Sequence, residues 1–134
     1  MRGFQSFPYT RSFKPDTFIG SGQFKPTLSS SPTTSVNKGT LKNKFSTVYA
    51  ATGIYTLTFN SGIVFPETPI FVFQSQCADI TNTNRFEVTV ITPWSNTTRA
   101  IVIQTSQAGT ALDVPTDPEN LVNFIVLAIN NTGK

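Results

Sequence analysis

The chain of 134 residues has no histidine and a single cysteine, Cys77. Without imidazole it lacks the commonest general base, the usual activator of a serine or cysteine nucleophile and the commonest metal ligand. Cys77 has no second thiol for an intramolecular disulfide and no basic neighbour to activate it, so it reads as structural. Carboxylates gather once, as Asp113, Asp117 and Glu119 in "LDVPTDPEN". Oxygen ligands of this kind suit a hard cation such as Ca²⁺. Their spacing matches no cation loop, and a solvated, proline-stiffened loop is the expectation. The "GSG" at 20–22 lacks the strand and helix that turn a glycine run into a phosphate cradle. Trp94, in "TPWSNTT", is a candidate rim for a glycan, its indole stacking on a pyranose face, although a lone tryptophan in a β-turn is more ordinarily packing. These residues predict a protein that is not an enzyme and uses no cofactor or metal.

Charge then divides the chain. Residues 1–44 hold seven Lys or Arg and one acid, whereas residues 45–134 hold three and six, so an overall +3 conceals halves of +6 and −3. A basic segment joined to an acidic body suggests a negatively charged partner surface or nucleic acid. Pro8, Pro15, Pro26 and Pro32 forbid a helix in the basic part and favour extended, polyproline-like chain. Aromatic rings are spaced along it, each able to bury roughly 150–250 Å² in a pocket. The candidate docking residues are Arg2, Phe4, Phe7, Tyr9, Arg11, Phe13, Lys14, Phe18, Phe24 and Lys25. Lysine beside phenylalanine could grip phosphates and stack bases. The dispersed cations and accompanying prolines argue against nucleic acid and for a protein surface. Residues 27–35, "TLSSSPTTS", read as linker.

The rest of the chain reads as strands. "IYTLTF" (54–59) alternates large apolar residues with threonine, the period of a half-buried strand. "PIFVFQSQ" (69–76), "RFEVTVIT" (85–92), "RAIVIQTS" (99–106) and "LVNFIVLAI" (121–129) follow, the last apolar on both faces as suits a central strand. Turn-rich segments separate them, and no window of ten residues gives a convincing helix. The fold class is all-β: an antiparallel β-sandwich of about six to eight short strands, residues 45–134, preceded by an extended N-terminal arm, residues 1–44. No apolar run approaches 18 residues and no signal-peptide pattern opens the chain, so it is expected to be soluble, off the membrane and made in a cytoplasm.

The order "GIYTLTFNSGIVFPETPIFVFQSQ", "NRFEVTVITPW", "RAIVIQTS", "NFIVLAI" resembles the small β-sandwich of virion proteins of tailed bacteriophages, over roughly residues 50 to 130. Phe65 to Pro69, Arg85-Phe86 and Phe124 to Ile129 occupy the matching places. H-type lectins share the layout but carry a tryptophan in the final strands, where this chain has Ile125 and Val126. The resemblance implies a structural virion protein, a capsid decoration or cement protein. The arm would anchor it to the major capsid protein on the capsid surface, with assembly as a homo-oligomer, taken as a trimer. The alternative it implies is a tail- or head-fibre tip that binds host-surface glycan.

Overall fold

The computed structural model describes residues 17–25, 38–63, 65, 68–81, 84–114 and 120–129. Among them every regular element is a β-strand. The strands are β1 (Thr17–Phe24), β2 (Phe45–Ala51), β3 (Ile54–Phe59), β4 (Ile70–Gln76), β5 (Glu87–Ser95), β6 (Ala100–Gln107), β7 (Thr110–Ala111) and β8 (Leu121–Ile129). They form two antiparallel sheets, β1-β8-β4 and β2-β3-β6-β5, with the short β7 added to β6. The all-β sandwich read from the strand periods is therefore the observed class.

Side-chain alternation explains how the layers face each other. Along β3, Tyr55, Leu57 and Phe59 are buried between half-buried neighbours, and Ile101 and Ile103 do the same on β6. The opposing sheet contributes Val122, Phe124, Val126 and Ala128 from β8. Aromatic rings join the two. Phe45 meets Phe124 edge-on at 5.1 Å between centroids, Phe24 lies 5.8 Å from Phe45, and Phe59 lies 6.1 Å from Phe124. Edge-to-face geometry suits the ring quadrupole, and each such pair adds about 0.5–1.5 kcal/mol beyond area burial.

Turns fit their sequences. Gln107 pairs with Thr110 across Ala108-Gly109, both at positive φ, which is the geometry that matches a two-residue hairpin to strand twist. At the β2–β3 turn, Gly53 has φ +68, and the carboxylate of Asp113 accepts its N–H at 2.6 Å. Asp113 is thus a fastening for this hairpin. Asp117 and Glu119, the other members of the carboxylate cluster, lie outside the described residues.

One expectation changes. The division at residue 44 assigned everything before it to an arm. Thr17–Phe24 instead pairs with β8 along its whole own length, from Thr17↔Ile129 to Phe24↔Val122, and Leu41 is buried in the same core. The reason lies in the glycines. Inward positions on β1 are Phe18, Gly20, Gly22 and Phe24, opposite Ala128, Val126, Phe124 and Val122. A Cβ on Gly22 would sit 2.2 Å from the Phe124 ring, and one on Gly20 would sit 2.9 Å from Leu41 and Phe18. The "GSG" is strand, and its missing side chains make room for Phe124 and Leu41. Residues 1–16 and the linker at 27–35 lie outside the described residues.

Candidate docking surface

The outward face of β1-β8-β4 follows from the same register. Ile19, Leu127 and Ile70 form one cross-strand row, and Ser21, Ile125 and Val72 form the next. Ile19 is 47%, Ile70 57%, Val72 58% and Ile125 51% exposed. A solvated antiparallel face ordinarily carries polar residues. Single exposed aliphatics are ordinary, but a contiguous group marks a contact surface.

A polar row borders it. Gln23, Asn123 and Gln74 are aligned across the three strands. The Gln23 amide donates to Asn123 Oδ1 at 2.8 Å, and Asn123 Nδ2 donates to Gln76 Oε1 at 3.3 Å. A groove of about 690 Å³ crosses this region, lined by Ser21, Gln23, Lys38, Val72, Asn123 and Ile125 among others. Apolar walls beside fixed amides, with Lys38 at one edge, make a site for a chain that is partly apolar and has backbone groups to satisfy.

The sheet's two edges differ. β1 is covered at one end by the 38–44 turn. Gln23 and Lys38 exchange backbone bonds at 3.0 and 2.9 Å, and the Leu41 N–H donates to the Ser21 carbonyl at 3.0 Å. Gly39, at φ +99, permits this approach, since a Cβ there would lie 2.5 Å from the Ser21 oxygen. The other edge, β4, reads "IFVFQSQ" and carries no charge. Charged residues are a usual protection of an edge strand.

The candidate site residues separate. Phe24 is fully buried among Phe45 and Phe124, so it serves the core and is closed to a partner. Phe18 is partly exposed and rests on Phe65 at 5.8 Å. Lys25 donates from Nζ to the carbonyl of Asn120 at 3.2 Å, which ties the end of β1 to the start of β8. Arg2, Phe4, Phe7, Tyr9, Arg11, Phe13 and Lys14 lie outside the described residues. Trp94 is half-buried, stacked on Phe71 at 5.6 Å and edge-on to Phe65 and Phe59, and its N–H donates to Asn96 at 2.6 Å. Its ring is committed to the sandwich, which weakens it as a sugar platform. The exposed Ile19, Ile70, Val72 and Ile125 were not singled out from the sequence. The signal available was the two-sided apolarity of "LVNFIVLAI" in β8.

Elsewhere polar groups act as fasteners. Asn120, fully buried, accepts the Ala78 N–H at 2.7 Å and donates to Asn84 at 3.2 Å, holding the 77–84 loop against β8. Within that loop the Thr81 hydroxyl and amide, with the Asn84 side chain, hold the Asp79 carboxyl below its ordinary pKa. Tyr55 is buried, which pushes its phenol up to about 12, while its oxygen accepts the Val114 N–H at 3.3 Å. Cys77 lies within 3.9 Å of the Phe86 carbonyl beside a smaller cavity of about 420 Å³. Among the described residues no group of three or more His, Cys, Asp or Glu could hold a metal ion. No protein-family model matches the chain, and neither the curated proteins nor the solved structures contain a match.

Proposed function

We propose that this chain is a structural docking module and, in its specific form, a capsid decoration protein of a tailed bacteriophage. The observation that carries the reading is the apolar outer face of β1-β8-β4, exposed at Ile19, Ile70, Val72 and Ile125 on a sheet whose edge strand follows directly from the aromatic, basic residues 1–16. The face offers aliphatics for shallow pockets, and the segment that precedes it in sequence adds aromatic rings and Arg2, Arg11 and Lys14 for acidic patches on a shell. Several weak contacts on one chain add up because each engagement raises the effective concentration for the next. Assembly as a trimer would multiply that gain. The inward packing of Trp94 takes support from the glycan-binding alternative.

The test is localisation on virions. A gold-conjugated antibody against the folded body is expected to label capsids, and Ile125→Lys is expected to lower that labelling without unfolding the protein. Label confined to tail or head fibres selects the fibre-tip alternative, and unlabelled virions overturn the virion reading altogether.

A further inference from the structure

The groove on the outer face of β1-β8-β4 carries charge at one end only. We propose that it takes an extended peptide segment of a partner protein, with a carboxylate at the Lys38 end and aliphatic side chains toward Val72. This rests on the docking reading and deepens it by naming the chemistry of the segment that docks.

Cross-strand register builds the groove. The row Gly22, Phe124 and Phe73 turns its rings toward the core, which leaves backbone as the floor. On one side stand Ser21, Ile125 and Val72, and on the other Gln23, Asn123 and Gln74. Lys38 continues the amide row beyond β1, because it bridges Gln23. Its backbone is fixed by the paired bonds to Gln23 at 3.0 and 2.9 Å, and the Thr40 hydroxyl accepts the Ser21 N–H at 2.8 Å. Lys38 thus lines one end of the groove from an anchored turn.

Charge selects the occupant. Among the described residues that line the groove, Lys38 alone is charged. Lys42 and Lys44, also exposed, stand in the same 38–44 turn, which contains no acid. β1, β4 and β8 contain no charged residue of either sign. Among the described carboxylates, Asp79 is engaged by Thr81 and Asn84, Asp113 by Gly53, and Glu87 lies on the other sheet. An exposed ammonium with no carboxylate beside it complements an acidic segment and repels a basic one.

The walls select a peptide. Side chains of an extended segment alternate between two sides, so one side can rest on Ile125 and Val72. Its backbone groups then meet the amide row, where the Gln74 side chain has no partner among the described residues. An acyl chain would leave that wall unmet. Four backbone segments about 4.8 Å apart span about 14 Å, the length of about four residues at ~3.3 Å each.

The experiment titrates the full-length, isotope-labelled protein by NMR with capped peptides of that length, alternating valine and threonine. Each carries a terminal glutamate, or a lysine in its place, at either the N- or the C-terminal end. The glutamate peptide, in one of its two orientations, is expected to shift the Val72 and Ile125 methyls and the Gln74 side-chain amide saturably. Val48 on the other sheet should not move. The lysine peptide should bind about fivefold more weakly, the scale of an ion pair at an exposed rim. Lys38→Glu should reverse that order, which loss of apolar packing alone could not do. Absence of saturable shifts with either peptide overturns the proposal, as does an order that Lys38→Glu leaves unchanged. Tighter binding of decanoate than of the glutamate peptide overturns it in favour of an acyl chain. The same shifts on raising protein concentration alone overturn it in favour of a second copy. Because no shell is present, failure here leaves the virion localisation test standing, and failure of that test leaves the preference for an acidic segment standing.

Discussion

The two sheets pack on one core yet turn different faces to solvent. Outward residues of the larger sheet include Ser46, Thr58 and Ala100 in one row and Val48, Thr56, Val102 and Thr92 in the next. Threonine recurs there, so β-branched shape is kept while hydroxyls meet water. The smaller sheet puts Ile19, Ile70, Val72 and Ile125 in the equivalent layer. Strand propensity is satisfied equally by both choices. The larger sheet exposes Val48, Val90 and Ile91 among its threonines, whereas the four aliphatics of the smaller sheet lie in adjacent cross-strand rows, and that contiguity is the basis of the proposed contact surface.

The sheets also differ in how they fill their inner faces, and the largest expected effect tests that. Phe124 packs over Gly22, where β1 offers no side chain of its own. Phe124→Ala should cost about 3–5 kcal/mol, against about 0.5–1.5 for Ile103→Val in the larger sheet. Denaturant midpoints at unchanged slope would measure both. Equal costs would mean that the glycine-backed layer relaxes to fill the hole.

Alkaline stability tests the larger sheet. Tyr55 has its folded pKa raised from 10.0 to about 12, principally by burial. The folded state therefore holds its proton in a range where the unfolded chain has lost it. Stability from this group is present below about pH 10 and is lost as pH rises through about 12, on the order of 2 kcal/mol. Urea melts between these pH values should show the slope, and Tyr55→Phe should flatten it while leaving the Val114 N–H without its acceptor.

Filling the glycine space comes next in size. Gly22→Ala drives a Cβ into the Phe124 ring and should cost about 1–3 kcal/mol. Gly62 has nothing within 4 Å of a built Cβ, so Gly62→Ala should stay within about 0.5 kcal/mol. If Gly22→Ala were neutral by thermal melting, β1 would not be packed against Phe124 as described.

The smallest stability effects give the sharpest functional contrast. Val48→Lys and Val72→Lys, on the outward faces of the two sheets, should each change stability by under about 0.5 kcal/mol. Only Val72→Lys should reduce occupancy on purified shells in a sedimentation assay. A matching loss from Val48→Lys would erase the distinction between the faces.

The periods of "IYTLTF" and "LVNFIVLAI" were legible because a half-buried or central strand imposes them locally, and both strands have those boundaries. β1 was not legible. In "TFIGSGQF" the inward positions are two glycines, Gly20 and Gly22, between Phe18 and Phe24, so the space over Gly22 belongs to Phe124, about 100 residues away in sequence. Proline and serine on either side strengthened the appearance of a linker. Trp94 was visible as a residue, but its partners Phe59, Phe65 and Phe71 come from other segments, and only their meeting turned it inward. The same holds for Phe24, read as a docking ring and found in the core.

By itself the sequence determined the lack of histidine, the strand periods and the charge division, because these depend on residue types and near neighbours. Tertiary structure alone decided that the "GSG" segment is an edge strand, that Trp94 is packing, and that four aliphatics on three distant strands form one surface. Each of those depends on cross-strand register, and register is set by how remote side chains fill a shared core.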